Sequence, residues 1–443
     1  MKSFVFALST ICIASTVAAA PVMHQAQLAG HAILPAKTFI QLPHDAPQDL
    51  KVSGKFVEGK RNNGIANTMG KSNGRATQLQ YPFQGQAVQG HSGIKVMKDG
   101  SVWLLTDNGF GNKKNSTDSA LFLRHYKIDW KNNNLHPIDT VFLRDPDQKV
   151  PFRIIHENTK ERYLTGGDFD PESVQIANDR IWIGEEFGPY LLEADMTGKV
   201  LAVHDTVVDG KVVRSPDHPS LTLPGIPNQN TAFEVKRSKG FEGMAMSPNG
   251  QTLYPMLEGV LWDKEKQTYE NVDGKQYLRI LEFDTQSRKY TNRSWKYILE
   301  SNDHAIGDFN MIDAHHGLII ERDNHEGTSA YPCATTDTSQ CFDKPAKFKR
   351  IYKVRLADNG VAEKMGYIDL MDIQDNKQLS KKPLVNGKFV FPFFTIENVD
   401  MVDKNHIIVG NDNNLPFSSS RHPNQVDDNE LILFNIGDFL QSK

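Results

Sequence analysis

A hairpin phrase with an acidic residue at each end recurs along this chain and restricts the folds open to it. In residues 239–259, Glu242 begins an alternating apolar run, an Asn-Gly turn follows, and a second extended run ends at Glu258. Alternation with a period of two residues is typical of β-strands, and Asn-Gly between two such runs is the strongest short hairpin signal. We therefore predict a β-hairpin with a carboxylate at its beginning and another at its end.

The same phrase occurs in four further stretches, residues 91–111, 171–188, 307–324 and 396–414. Their leading and closing residues are Ser92 with Asp107, Glu172 with Glu185 and Glu186, Asp308 with Asp323, and Glu397 with Asp412. In every copy about 13 to 16 positions separate the leading residue from the closing one. A supersecondary unit that returns at related spacing predicts a radial repeat.

Two further strand-like runs follow each hairpin, except that the last hairpin is followed by only one. Four strands are the content of one propeller blade, and a missing fourth strand in the last unit suits closure by a strand from the N-terminal part. The segment near Val52 is our candidate for that strand. We therefore predict an all-β protein, a β-propeller of about five to six four-stranded blades with its ring closed by an N-terminal strand.

The first twenty residues have the pattern of a secretory signal peptide. Lys2 precedes an apolar run that ends in small residues, and the run is too short to span a bilayer comfortably, which disfavours an uncleaved anchor. We assign residues 1–20 to the signal, residues 21–85 to an N-terminal extension with the closing strand, and residues 86–443 to the propeller domain. The protein is expected to be exported, either to a periplasm or to the extracellular space.

Two cysteines, Cys333 and Cys341, remain after removal of the signal. In an exported chain, two cysteines so close in sequence predict a disulfide that closes a small loop, and two free thiols are the alternative.

Net charge and motifs narrow the classes of partner. The formal net charge of −4 argues against nucleic acid or an anionic membrane surface as the main partner. The sequence contains no P-loop, no dinucleotide-binding fingerprint and no G-x-S-x-G elbow. We expect a monomer that acts on a small molecule, with phosphorylated compounds as the preferred class of substrate. We expect no insertion into a membrane after signal cleavage.

The acidic ends of the hairpins predict a metal site. In a propeller the innermost strand of each blade lines the central channel, so acids at equivalent positions converge near one end of it. One candidate ring contains Glu172, Glu242, Asp308 and Glu397, and a second contains Asp107, Glu186, Glu258, Asp323 and Asp412. Carboxylates together with the nearby Asn amides are hard oxygen ligands suited to Ca²⁺. We predict Ca²⁺ bound by Glu172, Glu242, Glu397, Asp107, Asp323 and Asp412. For any single acid, a hydrogen bond to the backbone at a turn or exposure to solvent is the alternative.

Four other residues are candidates for the catalytic chemistry. Glu186 or Glu258 could act as general base, and Arg322 or Arg421, each beside an acidic and Asn-rich loop, could hold a phosphate through two parallel hydrogen bonds. A salt bridge within the protein, to Asp323 or Asp428, is the alternative for either arginine. A group of histidines, His304, His315, His316 and His325, has none of the usual spacings of zinc ligands.

Five phrases of this sequence resemble a known family. They are GGDFDPESV (166–174), IWIGEEFGPYLLEAD (181–195), KGFEGMAMSPNGQTLYPMLEG (239–259), IIERDN (319–324) and NDNNLPFSSSR (411–421). Together they are similar to the phytase-like domain family, described as having the esterase-like activity of phytase. The resemblance covers roughly residues 89–434 and implies a β-propeller, export, and hydrolysis of phosphate esters. It brings no catalytic residues with it, and the motifs of the calcium-dependent propeller phytases are not found here.

Three hypotheses about function follow. The first is a metal-assisted phosphoesterase in which water is activated near a carboxylate-lined channel. The second is a metal-dependent lactonase or carboxylesterase on the same scaffold. The third is a propeller without catalytic activity that binds a ligand or a protein through its loops. The fold alone does not distinguish them, because one fold supports many chemistries.

Overall fold

The computed structural model describes residues 20–221 and 232–442, so residues 1–19 of the predicted signal peptide lie outside the described part. The described residues form β-strands joined by turns, with a 3-10 turn at Gln48–Lys51 and a short helix α1 (Gly437–Gln441) near the C-terminal end. The prediction of an all-β protein is confirmed. Within the described residues, no helix is long and apolar enough to cross a membrane.

The N-terminal region forms one long strand and three small hairpin-like pairs. Its strands are β1 (Val22–Leu34), β2 (Phe39–Ile40), β3 (Val52–Ser53), β4 (Thr68–Ser72), β5 (Arg75–Tyr81), β6 (Phe83–Gln84) and β7 (Gln86–Ala87). The pairs β2–β7, β3–β6 and β4–β5 are all antiparallel. The segment near Val52 therefore pairs locally with β6.

The rest of the chain forms five antiparallel units in sequence order. Unit 1 contains β8 (His91–Val96), β9 (Val102–Thr106), β10 (Phe122–Asp129) and β11 (Asn134–Phe142). Unit 2 contains β12 (Pro171–Ala177), β13 (Arg180–Glu185), β14 (Tyr190–Asp195) and β15 (Val200–Asp205), followed by the hairpin β16 (Val207–Val208) and β17 (Lys211–Val212).

Unit 3 contains β18 (Phe241–Met246), β19 (Thr252–Leu257), the short strands β20 (Trp262–Asp263), β21 (Thr268–Tyr269) and β22 (Asn271–Val272), then β23 (Lys275–Asp284) and β24 (Lys289–Ile298). Unit 4 contains β25 (Ala305–Met311), β26 (His316–Arg322), β27 (Lys349–Leu356) and β28 (Ala362–Gln374). Unit 5 contains β29 (Ile396–Met401), β30 (His406–Asn411) and β31 (Asn429–Asn435). All five predicted hairpins are thus the first two strands of a unit.

The fourth position of unit 5 is filled by β1. This strand pairs antiparallel with β31, from Leu34 opposite Asn429 to Gln27 opposite Asn435. It also pairs in parallel with β28, so units 4 and 5 share one continuous eight-stranded sheet. The prediction that the segment near Val52 completes the last unit is wrong, because the hydrogen-bonding edge of β31 is already occupied by residues that lie earlier in the chain.

The first strands of the five units contact one another in a closed cycle: β8 with β12, β12 with β18, β18 with β25, β25 with β29, and β29 with β8. Glycines permit this close approach. A Cβ atom on Gly243 of β18 would lie 2.9 Å from the backbone nitrogen of Phe309 on β25, and one on Gly93 of β8 would lie 3.1 Å from the Cα of Ser173 on β12. The five first strands therefore enclose a common axis.

Apolar side chains fill the spaces between neighbouring sheets. Leu105 and Leu123 of unit 1 pack in one cluster with Ile183 and Leu192 of unit 2. The predicted disulfide is confirmed: Cys333 and Cys341 are bonded, with Cα atoms 5.0 Å apart, in the long loop between β26 and β27. The apolar contacts between neighbouring sheets hold the units in place around the axis.

Candidate functional site

Three glutamates enter the centre of the ring through β-bulges. Glu172, Glu242 and Glu397 are each the second residue of a first strand, and each is the extra residue where the pairing register shifts. A bulge redirects the side chain that it inserts and breaks the regular alternation of the strand. The carboxylates of these three residues, from three different units, consequently lie close enough to interact electrostatically.

The closing acids of the hairpins lie at the same end of the ring. Asp107, Glu186 and Glu258 each follow the last residue of a second strand, and each donates its backbone N–H to a carbonyl just before the paired first strand, at 2.8 to 3.0 Å. In an antiparallel pair the end of one strand lies beside the start of the other. Leading and closing acids of a hairpin are therefore neighbours, as the repeated phrase predicts.

These residues form one acidic cluster, which consists of Asp107, Asp170, Glu172, Glu186, Glu242, Glu258, Glu397 and Asp412. Units 1, 2, 3 and 5 supply the acids. Burial and the neighbouring carboxylates raise the pKa of Asp107 to about 7 and that of Asp170 to about 8. The same two causes raise the pKa values of Glu172, Glu186 and Glu242. Burial away from water and neighbouring like charges both disfavour the ionised form of a carboxyl group.

Two groups of three acids have the spacing of metal ligands. One oxygen each of Asp170, Glu172 and Glu186 lie within 4.8 Å of one another, and the same holds for Glu186, Glu242 and Glu258. Three oxygens in these groups, Oδ1 of Asp170, Oε1 of Glu186 and Oε1 of Glu242, are buried and accept no hydrogen bond from the described residues. Carboxylate oxygens at this spacing, in residues that keep unpartnered oxygens, are a donor set that suits a hard divalent cation.

Unit 4 supplies a cation in place of an acid. Arg322, the last residue of β26, donates from Nη2 to Oε1 of Glu397 at 3.2 Å and from Nη1 to Oδ1 of Asn324 at 3.0 Å. Its Nε has no hydrogen-bond partner among the described residues. Ser92, in the leading position of unit 1, donates to the other oxygen of Glu397 at 2.9 Å. A second cation, Lys239, contacts Glu258.

Two of the predicted acids are placed elsewhere. Asp323 occupies the closing position of unit 4, but it accepts hydrogen bonds from the backbone of Lys347 and Phe348, at 2.8 and 3.0 Å, and pairs with buried Lys349 at 3.0 Å. Although burial opposes the change, Lys349 lowers the pKa of Asp323. Asp308 lies two positions deeper in its strand than the leading glutamates, where the backbone N–H groups of Phe309 and Val399 donate to it. Both carboxylates thus have partners of their own, and the prediction of Asp323 as a metal ligand is not supported by its position.

Arg421 has its hydrogen-bond partners outside the acidic cluster. It donates to the two oxygens of buried Glu430, at 3.0 and 2.6 Å, and to the carbonyl of Val390 at 2.7 Å. Its guanidinium lies over the rings of Phe389 and Phe393, at 5.1 Å from each centroid. Arg421 therefore forms an internal ion pair, as the alternative expectation had it, but with Glu430 in place of Asp323 or Asp428.

The sequence reasoning missed two members of the site, Asp170 and Lys239. Asp170 lies two residues before Glu172, and Lys239 lies three residues before Glu242, so both precede a first strand. The signal that could have identified them is a charged residue two or three positions ahead of a leading glutamate, which Glu172 and Glu242 have and Glu397 lacks.

Comparisons with known proteins agree with the resemblance of the five phrases. The family described as "Phytase-like: Esterase-like activity of phytase" matches residues 86–415. A curated relative, an "Uncharacterized secreted protein" of Arthroderma benhamiae, is 25% identical over an alignment of 272 residues, and the match covers 49% of this chain and 49% of that protein. This chain therefore matches about half the length of that relative.

Solved structures with partial similarity include sugar lactonases. The periplasmic gluconolactonase of Pseudomonas aeruginosa has a TM-score of 0.31 at 11% identity, with 86% of this chain and 98% of that chain covered. A putative 6-phosphogluconolactonase of Bacteroides fragilis has a TM-score of 0.29 at 12% identity, with 81% and 95% covered. At these scores the similarity carries no argument about function.

Proposed function

Because this chain belongs to the phytase-like family described as having esterase-like activity of phytase, we propose that it is a hydrolase of esters, with phosphate esters as the first substrate class. The observation that carries the proposal is the acidic cluster, where buried carboxylates with unpartnered oxygens face one another beside Arg322. Groups with shifted pKa values that converge with a cation are typical of catalytic sites.

In this proposal the five units are the blades of one propeller, and the acidic cluster lies at one end of its channel. Residues 86–443 form the propeller domain, and the N-terminal extension, residues 21–85, contributes β1 to the last blade. The closed cycle of first strands supports this arrangement.

The cluster fits a divalent cation, and Ca²⁺ suits its all-oxygen donors best. The residues that would hold it belong to one of the two groups with ligand spacing, either Asp170, Glu172 and Glu186 or Glu186, Glu242 and Glu258. A bound cation of this kind supplies positive charge to the ester oxygens and lowers the pKa of a water. Three further predicted ligands, Asp107, Glu397 and Asp412, lie in the same cluster but outside the two groups of three.

Arg322 is placed to bind the phosphate of a substrate. It is buried beside Glu397, and only two of its five N–H groups, one on each Nη atom, have partners within the described residues, so three remain for an anionic oxygen. Charge-assisted hydrogen bonds from a guanidinium to phosphate are among the strongest that proteins make. Arg322 would therefore orient the substrate and favour phosphate over neutral esters.

Asp107 is better placed for proton transfer than the bases predicted from the sequence. Glu186 and Glu258 both belong to the groups with ligand spacing, whereas Asp107 is partly exposed and uses only Oδ1 as an acceptor. Without a bound cation its pKa is about 7, which lies near neutral pH. We assign it the role of general acid or base.

We further propose that the protein is exported. The first twenty residues have the pattern of a secretory signal, and the curated relative is described as a secreted protein. Both observations support a site of action outside the cytoplasm.

The test is a substrate panel on the purified mature chain, with added Ca²⁺ and with a chelator. The panel contains a phosphomonoester, a phosphodiester, a lactone and an acyl ester, since the family description also names esterase-like activity. Phosphate ester turnover that is lost with the chelator and in Glu242→Gln, but kept in the exposed control Glu265→Gln, supports the proposal. Turnover of the lactone or acyl ester alone would contradict phosphate esters as the substrate class and keep the assignment as an ester hydrolase. Turnover unchanged by both the chelator and Glu242→Gln would show that the acidic cluster is not the active site.

A further inference from the structure

The two groups of acids with ligand spacing share one residue. Asp170 and Glu172 belong to the first group, Glu242 and Glu258 belong to the second, and Glu186 belongs to both. Glu186 follows the last residue of β13, which places it between the first strands of units 2 and 3. A carboxylate that is common to two ligand sets can bind one cation with each oxygen.

The hydrogen bonds of Glu186 leave it available for this role. Its backbone N–H donates to the carbonyl of Asp170 at 3.0 Å, and its side chain accepts no hydrogen bond from the described residues. Each group also contains a second buried oxygen without a partner, Oδ1 of Asp170 in the first and Oε1 of Glu242 in the second. These residues are 3%, 4% and 4% exposed for Asp170, Glu186 and Glu242. Buried carboxylates without partners stay protonated unless a cation balances their charge.

The protein's own cations serve only part of the cluster. Lys239 pairs with Glu258, and Arg322 pairs with Glu397. Asp170 and Glu172 form no ion pair with any described residue, and their closest charged neighbours are other acids. A single cation in the second group would leave the first group without positive charge.

We propose that the acidic cluster holds two divalent cations bridged by the carboxylate of Glu186, one with Asp170 and Glu172 and one with Glu242 and Glu258. The catalytic significance of the pair rests on the proposed function, because two neighbouring cations suit the two oxygens of one phosphate ester. Its geometry depends only on the residues named.

The test uses Mn²⁺ as the probe, on the full mature chain stripped of metal with a chelator. We expect calorimetric titration to give two Mn²⁺ per chain, and low-temperature electron paramagnetic resonance to show an exchange-coupled pair. Asp170→Asn and Glu258→Gln should each reduce the stoichiometry to one, whereas Glu186→Gln should abolish the coupling. The control Glu265→Gln, an exposed glutamate, should match the wild type, and circular dichroism confirms that each variant is folded.

A stoichiometry of one in the wild type, or coupling that survives in Glu186→Gln, would overturn the inference. If Glu186→Gln does not fold, the other two variants decide. One uncoupled Mn²⁺ in Asp170→Asn and in Glu258→Gln, beside the coupled pair of the wild type, supports the paired site, and two Mn²⁺ retained in either variant contradict it. Two coupled cations without turnover of any ester would contradict the proposed function alone. Hydrolysis of phosphate esters with one cation bound would contradict the paired site alone.

Discussion

Single positions decide which hairpin contributes an acid to the cluster. The closing residue is acidic in all five units, yet Asp323 turns away because buried Lys349 and two backbone N–H groups of the following loop bind its oxygens. Arg322, one position earlier, then extends toward Glu397. The spacing in the sequence predicts that the five closing positions are equivalent. Asp323 is the exception because its partner, Lys349, lies in another strand 26 residues away.

Arg322 should matter for phosphate esters and much less for neutral ones. Replacement by glutamine removes a charge-assisted hydrogen bond that is worth about 1.5 to 3 kcal/mol, so kcat/KM for a phosphomonoester should fall by about 10- to 100-fold. Steady-state kinetics on a phosphomonoester and on an acyl ester measure the difference. The exposed Arg153→Gln serves as control, and an equal loss on both substrates would contradict a phosphate-binding role.

Glu430 should stabilise the fold in a pH-dependent way. It is fully buried, and although burial opposes ionisation, Arg421 and His31 lower its pKa to about 2. The folded pKa therefore lies below that of the unfolded chain, about 4.3, so the stabilisation is present above about pH 4 and is lost as the pH falls toward 2. Glu430→Gln should lower the free energy of unfolding by about 3 kcal/mol at pH 7, because Arg421, which is mostly buried, and fully buried His31 lose their charged partner.

Urea unfolding at a series of pH values measures this effect. The difference between wild type and Glu430→Gln should shrink between about pH 4 and pH 2, while the exposed Glu265→Gln should differ little from the wild type throughout. A difference that stays constant over that range would contradict the assigned ion pair.

At the level of strands, the sequence predicts the hairpins well and their pairing partners poorly. Alternation and Asn-Gly turns are local signals, so β18 and β19 can be located from residues 239–259 alone. The bulges are not visible in this way, because they are defined by register against the second strand. The closing strand was misplaced for a similar reason: β1 pairs with β31, about four hundred residues further along the chain, and no local pattern records that pairing.

Close contact between first strands gives a prediction at this level. Gly243→Ala would place a Cβ atom 2.9 Å from the backbone nitrogen of Phe309, so β18 and β25 must separate. We expect the free energy of unfolding to fall by about 2 kcal/mol, and Ca²⁺ affinity to weaken because Glu242 moves with the strand. Urea unfolding and calorimetric titration measure the two effects.

Gly210→Ala is the matched control for this change. Its Cβ atom would have open space around it, although its φ of +77° makes the substitution strained. It should cost about 1 kcal/mol and leave Ca²⁺ affinity unchanged. Equal Ca²⁺ affinity in the wild type and Gly243→Ala would show that the spacing of the first strands does not shape the acidic cluster.

For the whole molecule, the repeat predicts that distant acids meet, and the structure brings together Glu172, Glu242 and Glu397 from three units. What the repeat could not supply is the departure from symmetry. Asp170 and Lys239 lie outside the hairpins, and unit 4 contributes a guanidinium. Symmetric spacing therefore predicts where a site forms, and the residues that break the symmetry determine what it can bind.

Because four of the five units place acids in one cluster, cation binding should stabilise the entire ring. A ligand that binds only the folded state adds about 2.7 kcal/mol at a concentration one hundred times its Kd, so Ca²⁺ should raise Tm by about 3 to 6 °C over the chelated protein. Na⁺ at matched ionic strength should not reproduce this shift.

Glu242→Gln removes one of the mutually repelling carboxylates, so without cation it should melt above the wild type and respond little to Ca²⁺. Calorimetric melting with Ca²⁺ and with chelator measures both effects, and a wild-type Tm that is indifferent to Ca²⁺ would contradict a cation at the centre of the ring.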